Sequence, residues 1–326
     1  MSDIYARLRS AGFDQTFIRD AILPEWWEDS LAAVPANLAI AGLLISRNLG
    51  IPVAALGEPS QPLELCLNVP HVKFKRYGNE EDERVKPSVV IARRAAEIFI
   101  KSSRPLPLFK LPQSPLAIRQ QILLTNKVVD LKSLLEFCWG AGIVVFHADR
   151  KPERHCKHFD GLAMFCGERP VLVLGSKRDG PAWLAFHLAH ELSHILRRHV
   201  RPGGDPLLDK DLNSKTDDQE ERQVDADACE ILTGLRKPLI NDLKLTGKRL
   251  AAVAAQAGPD QAVDPGVYAL VYARSNDRWA VAAEALKALK IDSGAHEILR
   301  ASLRKRIDPD NLSEDSERFI AVVSSA

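Results

Sequence analysis

The run His190-Glu191-Leu192-Ser193-His194 sets two imidazoles four residues apart, about one helical turn, so both leave the same face and can share a metal ion. Hydrolysis at such an ion requires three protein ligands, one open position and a base beside the attacking water. His190 and His194 are two of the ligands. Glu191 follows His190 directly, leaves the helix near the same edge, and is the candidate general base for water attacking a carbonyl. Two imidazoles with a carboxylate favour zinc, and the pentapeptide is the HExxH pattern of zinc hydrolases.

The flanks predict the helix that carries it. Asp179-Gly180-Pro181 reads as an N-cap with proline in the first turn. Arg197, Arg198 and His199 put positive charge near the C-terminal end, and Pro202-Gly203-Gly204 is the expected stop. Leu184, Leu188, Leu192 and Ile195 form an apolar stripe, while His187, His190, Glu191 and His194 fall on another face. The helix is therefore expected to bury one side and present imidazoles on the other. His187 is read as a hydrogen-bonded structural histidine rather than a further ligand.

The third ligand has to come from elsewhere. His199 lies nine residues after His190, one short of the metzincin spacing, with no glycine between to turn the chain, and is set aside. From Glu220 to Leu232 the periodicity is helical, and Glu221, Val224, Asp225, Ala228 and Leu232 share a stripe. Two carboxylates on an otherwise apolar stripe are costly to bury unless something compensates them, and a metal ion does so. Glu221 is the expected ligand. Asp225, one turn later, is the expected hydrogen-bond acceptor from the free nitrogen of a ligating histidine. A solvated acidic helix with no metal is the competing reading.

With these residues in view, the chain resembles the ImmA/IrrE metallopeptidases. Leu188-Ala189-His190-Glu191-Leu192-Ser193-His194-Ile195-Leu196, followed by Glu221-x-x-Val224-Asp225-x-x-Ala228, is similar to their L-A-H-E-[LI]-[GAS]-H-[LI]-L and E-x-x-A-[ND]-x-F-A patterns. Val129-Asp130-Leu131, Gly142 to Phe146, Asp160 to Ala163 and Pro170 to Leu174 stand in the order expected upstream, so the resemblance spans roughly residues 115–240. Val263-Asp264-Pro265-Gly266-Val267 is similar to a segment that trails the core. Two positions depart from the pattern: Val224 stands where alanine is common, and Asp227 replaces an aromatic that packs inward. The second departure leaves Glu220 as an alternative third ligand. The resemblance implies an intracellular zinc protease that cuts a specific partner, a helix-turn-helix repressor or an antitoxin, in the control of stress response or mobile elements. The alternative is a catalytically silent module that sequesters a DNA-binding partner.

The remaining residues bound the fold. At 326 residues and 46% hydrophobic content the chain can bury a substantial core in two or three domains. The expected division is a helical region over 1–114, the metallopeptidase core over 115–240 and a helical region over 241–326. Three apolar runs, Gly142 to Phe146, Leu162 to Cys166 and Pro170 to Leu174, predict a sheet of three or more strands whose open edge suits an extended peptide. The expected class is α+β, mostly helical, with a zincin-like core. Trp26-Trp27 is expected to anchor the first region. Pro105, Pro107, Pro112 and Pro115 read as a stiff linker, and Asp205 to Thr216 as a mobile surface loop.

Charge and cysteine use narrow the setting. A formal net charge of +1 gives no pull toward nucleic acid or membrane, and direct nucleic-acid binding is not expected, although Ala39 to Leu56, with Gly50 at the turn, has the outline of a helix-turn-helix fragment. Five cysteines without a CxxC suit a reducing compartment. Met1 to Ser10 lacks an apolar signal segment and Leu38 to Ile45 is too short to span a bilayer, so a cytoplasmic location is expected. Cys166 and Cys229 read as core residues. His155-Cys156-Lys157-His158 lacks a partner pair at zinc spacing. The oxyanion donor stays open among His155, His158, Tyr268 and Tyr272.

Overall fold

Capping chemistry starts the helices that lead into the sheet. Ser114 Oγ accepts from the Ala117 N–H at 3.2 Å just ahead of Pro115, and Asp130 and Ser133 cap one another reciprocally at 2.7 and 2.9 Å. The computed structural model describes residues 1–58, 62–65, 73–74, 79–157, 159–204, 206–209, 219–236 and 244–324. In chain order the main helices are α1 (Ser2–Ser10), α2 (Pro35–Leu49), α3 (Asn79–Ser102), α4 (Pro115–Leu123), α5 (Leu131–Gly140), α6 (Pro181–Leu196) and α7 (Gln219–Thr233). They continue as α8 (Gly247–Asp260), α9 (Pro265–Asn276), α10 (Trp279–Leu289), α11 (Ala295–Arg304) and α12 (Glu314–Ser324).

The chain divides into two compact units. The first comprises Met1–Arg104, Ala148–Phe159 and Arg306–Ala326. In it Leu8, Phe13, Phe17, Ile45, Leu49, Phe99 and Phe319 are fully buried, and α12 packs on α3. Only one of the two adjacent tryptophans anchors this unit: Trp27 is buried and donates to Asp29 at 3.3 Å, whereas Trp26 is largely exposed. Asp29 also accepts from the Tyr5 hydroxyl at 2.7 Å. Gly50 does turn the chain after α2, with a left-handed φ of 67°. The helix beyond it, Val53–Gly57, is only about 8 Å long at the standard rise, too short to read a DNA groove.

The second unit comprises Pro105–His147 and Asp160–Lys305 and holds the HExxH helix. Its four strands among the described residues are β1 (Val144–His147), β2 (Gly161–Cys166), β3 (Arg169–Leu174) and β4 (Leu207–Asp209), lying in the order β4-β2-β3-β1. β1 runs parallel to β3, with Val144 opposite Val171, and β2 is antiparallel to both β3 and β4. The three predicted apolar runs are the first three strands. The fourth comes from the segment expected to be a loop, because Leu207 and Leu208 are buried and Leu208 pairs with Leu162. Residues 205 and 210–218 lie outside the described residues.

One core cluster gathers Leu134 and Leu135 of α5, Leu172 of β3, Leu184, Leu188, Leu192 and Ile195 of α6, and Ile231 of α7. Val267 and Leu270 of α9, Leu286 of α10 and Leu299 of α11 join it. This core runs past the expected boundary at 240, because the apolar faces of α8 to α11 join the same cluster as α6. The proline-rich stretch is no free spacer either: Arg169 Nη1 donates to the Pro107 carbonyl at 2.5 Å and the Lys110 N–H to the Ala141 carbonyl at 3.1 Å, which strap it along this unit. The class is α+β with helix predominating. Among the described residues, no helix is long and apolar enough to cross a membrane.

Candidate metal centre

Helix α6 starts and stops differently from its sequence signals. Its N-cap is Gly180, with no side-chain cap, and Asp179 instead accepts from the Gly294 and His296 N–H groups at 2.8 Å each, at the head of α11. At the other end the helix closes at Leu196, ahead of Pro202. Arg198 takes a left-handed φ of 58°, its N–H bonds the Ile195 carbonyl at 3.0 Å, and the His199 N–H bonds the His194 carbonyl at 3.0 Å. That pair of bonds is a Schellman turn.

The apolar stripe of α6 faces the core as expected, but the polar face is also covered. His187, His190, Glu191 and His194 are all buried. Helix α7 packs over α6 and brings Val224 and Ala228 as apolar contacts together with Glu221, which is itself buried. Glu220, by contrast, is exposed. Asp227 is buried too. It accepts from Arg197 Nε at 2.5 Å and Nη2 at 3.0 Å, and pairs with Arg236, so an ionic clamp ties the end of α6 to α7 where an apolar contact was expected.

His190 Nε2, His194 Nε2 and a carboxylate oxygen of Glu221 converge. The two nitrogens are 3.2 Å apart, and Glu221 Oε2 lies 3.4 Å from the first and 3.8 Å from the second. Three atoms at these separations lie on a circle of radius about 2.0 Å, the length of a zinc–imidazole or zinc–carboxylate bond. Asp225 Oδ1 sits 2.9 Å from His190 Nδ1 and, as a carboxylate, can only accept, so that nitrogen carries the proton and Nε2 keeps its lone pair toward the centre. A lone pair facing an anionic oxygen and a second imidazole is the arrangement a cation resolves. The donor set therefore fits a divalent metal, and His190, His194 and Glu221 are the residues that can hold it.

The surroundings add groups that the motif does not contain. Arg274 of α9 pairs with Asp225 through Oδ2, and its guanidinium lies 4.8 Å over the Phe186 ring, so a helix from late in the chain holds the acid that orients His190. His199 Nδ1 is 2.9 Å from His194 Nδ1. Glu191 is wholly buried beside the first residue of β2: a Cβ built on Gly161 would lie 1.8 Å from Glu191 Oε1. Glycine at 161 is what lets the strand backbone approach that carboxylate.

Other predicted residues lie elsewhere. Tyr268 belongs to the main core cluster, where burial raises its hydroxyl pKa, and Tyr272 to a smaller one with Leu250 and Ala285. His155 is exposed in the first unit, and His158 is outside the described residues. Cys156 donates to the Gly12 carbonyl at 3.2 Å, and burial pushes its thiol up to about 12, so it is a structural thiol. Burial likewise raises Cys229, to about 11. No family model matches the chain, and no curated protein matches it.

Proposed function

We propose that the chain is a zinc-dependent endopeptidase of the ImmA/IrrE kind, with a zincin-like core, acting in the cytoplasm on one protein partner, a helix-turn-helix repressor or an antitoxin. The observation that carries the reading is the convergence of His190, His194 and Glu221 on a common point, with Asp225 fixing the proton on the outer nitrogen of His190. The nature of the partner rests on the motif resemblance alone.

Zinc held by these three side chains would supply Lewis acidity, lowering the pKa of a water and polarising a peptide carbonyl. Glu191 takes the proton from the attacking water and returns it to the departing amine. The carboxylate is wholly buried, and the Gly161 backbone limits where it can swing. Helices α6 and α7 hold the ligand atoms so that little rearrangement is needed at the moment of reaction.

The test pairs metal analysis of the purified protein with the variant Glu191→Gln, each co-expressed with candidate repressors. Zinc near one equivalent in both proteins, with partner cleavage only in the unsubstituted one, supports the reading. Cleavage surviving in Glu191→Gln removes the base assignment. Burial of His190, Glu191, His194 and Glu221 favours the second reading, a module that holds its partner intact, and tight binding with no cleavage in either protein would select it.

A further inference from the structure

We infer that His199 is a positioning residue of the metal centre: a neutral imidazole behind His194 that does for this ligand what the Asp225 carboxylate does for His190. The inference rests on the metal reading above and extends it to a residue outside the HExxH and Glu221 pattern.

The backbone carries the first step. Through the Schellman turn at the end of α6, His199 becomes the residue two beyond the cap and is folded back onto His194, three before it, by the N–H to carbonyl bond of 3.0 Å. In such turns the side chains at these two positions touch, and the contact is ordinarily apolar. Here both are imidazoles, with Nδ1 to Nδ1 at 2.9 Å. An apolar pair would close the turn equally well, so the need for nitrogen lies elsewhere.

Proton placement is the second step. His194 Nε2 faces His190 Nε2 and Glu221 Oε2, so its lone pair belongs on Nε2 and its proton on Nδ1. That N–H needs an acceptor, and His199 Nδ1 is within reach, which requires His199 to carry its own proton on Nε2. The two ligating histidines thus have unlike supports. His190 leans on an anion that is tied to Arg274, and His194 on a neutral ring held by a turn of backbone. Removing an outer hydrogen-bond partner of a ligating histidine typically weakens metal binding by about 10- to 100-fold.

The experiment measures zinc affinity of the full chain by chelator competition, with the visible absorption of the cobalt-substituted protein as a second readout. Three proteins are compared: unsubstituted, His199→Leu and His199→Asn. Leucine supplies the ordinary apolar contact of the turn. Asparagine puts an oxygen at the same bond distance from Cα as the imidazole Nδ1. The expected result is zinc binding about 10- to 100-fold weaker in His199→Leu with an altered cobalt spectrum, and recovery of both in His199→Asn. Equal affinity in the leucine variant and the unsubstituted protein overturns the inference while leaving the metal reading intact, and so does an equal loss in both variants. If the unsubstituted protein takes up no zinc, the metal reading itself falls, and this inference with it.

Discussion

One methyl group at residue 161 reaches the candidate base. In Gly161→Ala the new carbon falls within 1.8 Å of Glu191 Oε1, so the carboxylate or the strand has to move, while His190, His194 and Glu221 sit on other elements. A displacement of about 1 Å in a reacting group can cost on the order of 10²-fold in rate. On the proposed reading, Gly161→Ala is therefore expected to bind metal as the unsubstituted protein does and to lose about that factor in partner cleavage, read by metal analysis beside a cleavage time course. Full activity would show that Glu191 does not depend on this contact. At this scale much of the site was legible. His190, Glu191, His194, Glu221 and Asp225 are joined by a single helical period, and burying acids on an apolar stripe demands compensation. His199 was not legible as a neighbour of His194, because a spacing rule for helices says nothing about a left-handed arginine that folds the chain back. Arg274 was hidden for a different reason: its partner, Asp225, lies 49 residues upstream, and only tertiary packing joins them.

Among the elements, the start of α6 is where local reading misled. Asp179 has the sequence position of its cap, yet the carboxylate caps α11, 115 residues away, through the Gly294 N–H. Cap signals are short-range, and an aspartate at a helix head can serve any exposed N–H that the fold brings to it. Burial pushes this carboxyl up, but the N–H groups of His296 and Gly294 and the charges of His296 and Arg300 outweigh it and hold the pKa below its ordinary 3.8. A carboxyl depressed in the folded state stabilises above its unfolded pKa and loses that contribution as pH falls through the folded one. Asp179→Ala should thus cost about 1 kcal/mol in urea unfolding near neutral pH, with the gap to the unsubstituted protein narrowing on acidification below pH 4. A gap that is constant from neutral pH to pH 3 would rule out the capping role. The strands show the converse. β1, β2 and β3 were legible as apolar runs between turns, whereas β4 was not, because two leucines in a polar stretch give too little pattern to call a strand.

For the whole molecule, composition told that a large core was affordable but not which segments share it. Helical periodicity after residue 240 suggested a separate region, and nothing in a pattern of apolar residues says whose apolar face they meet. Val267, Leu270, Leu286 and Leu299 in fact close the core around α6. A chain ending at Arg236 is therefore expected to lose cooperative unfolding, measured by far-ultraviolet circular dichroism against urea, and to bind no zinc tightly, since Arg274 goes with the removed helices. A truncated protein that unfolds in one sharp step and keeps its metal would restore the boundary at 240.

The interleaving of the two units along the chain has a consequence for synthesis. Neither is continuous: the first takes Ala148–Phe159 and Arg306–Ala326 from far along the sequence, and the second runs on to Lys305. Domains emerging from the ribosome usually fold in order from the amino end. Here the ordinary order is blocked, because the earliest residues wait for α12 and the HExxH helix waits for Arg274. A nascent chain carries His190 and His194 before it carries Glu221, Asp225 and Arg274, so the candidate metal centre is expected to assemble only after Arg274 has emerged.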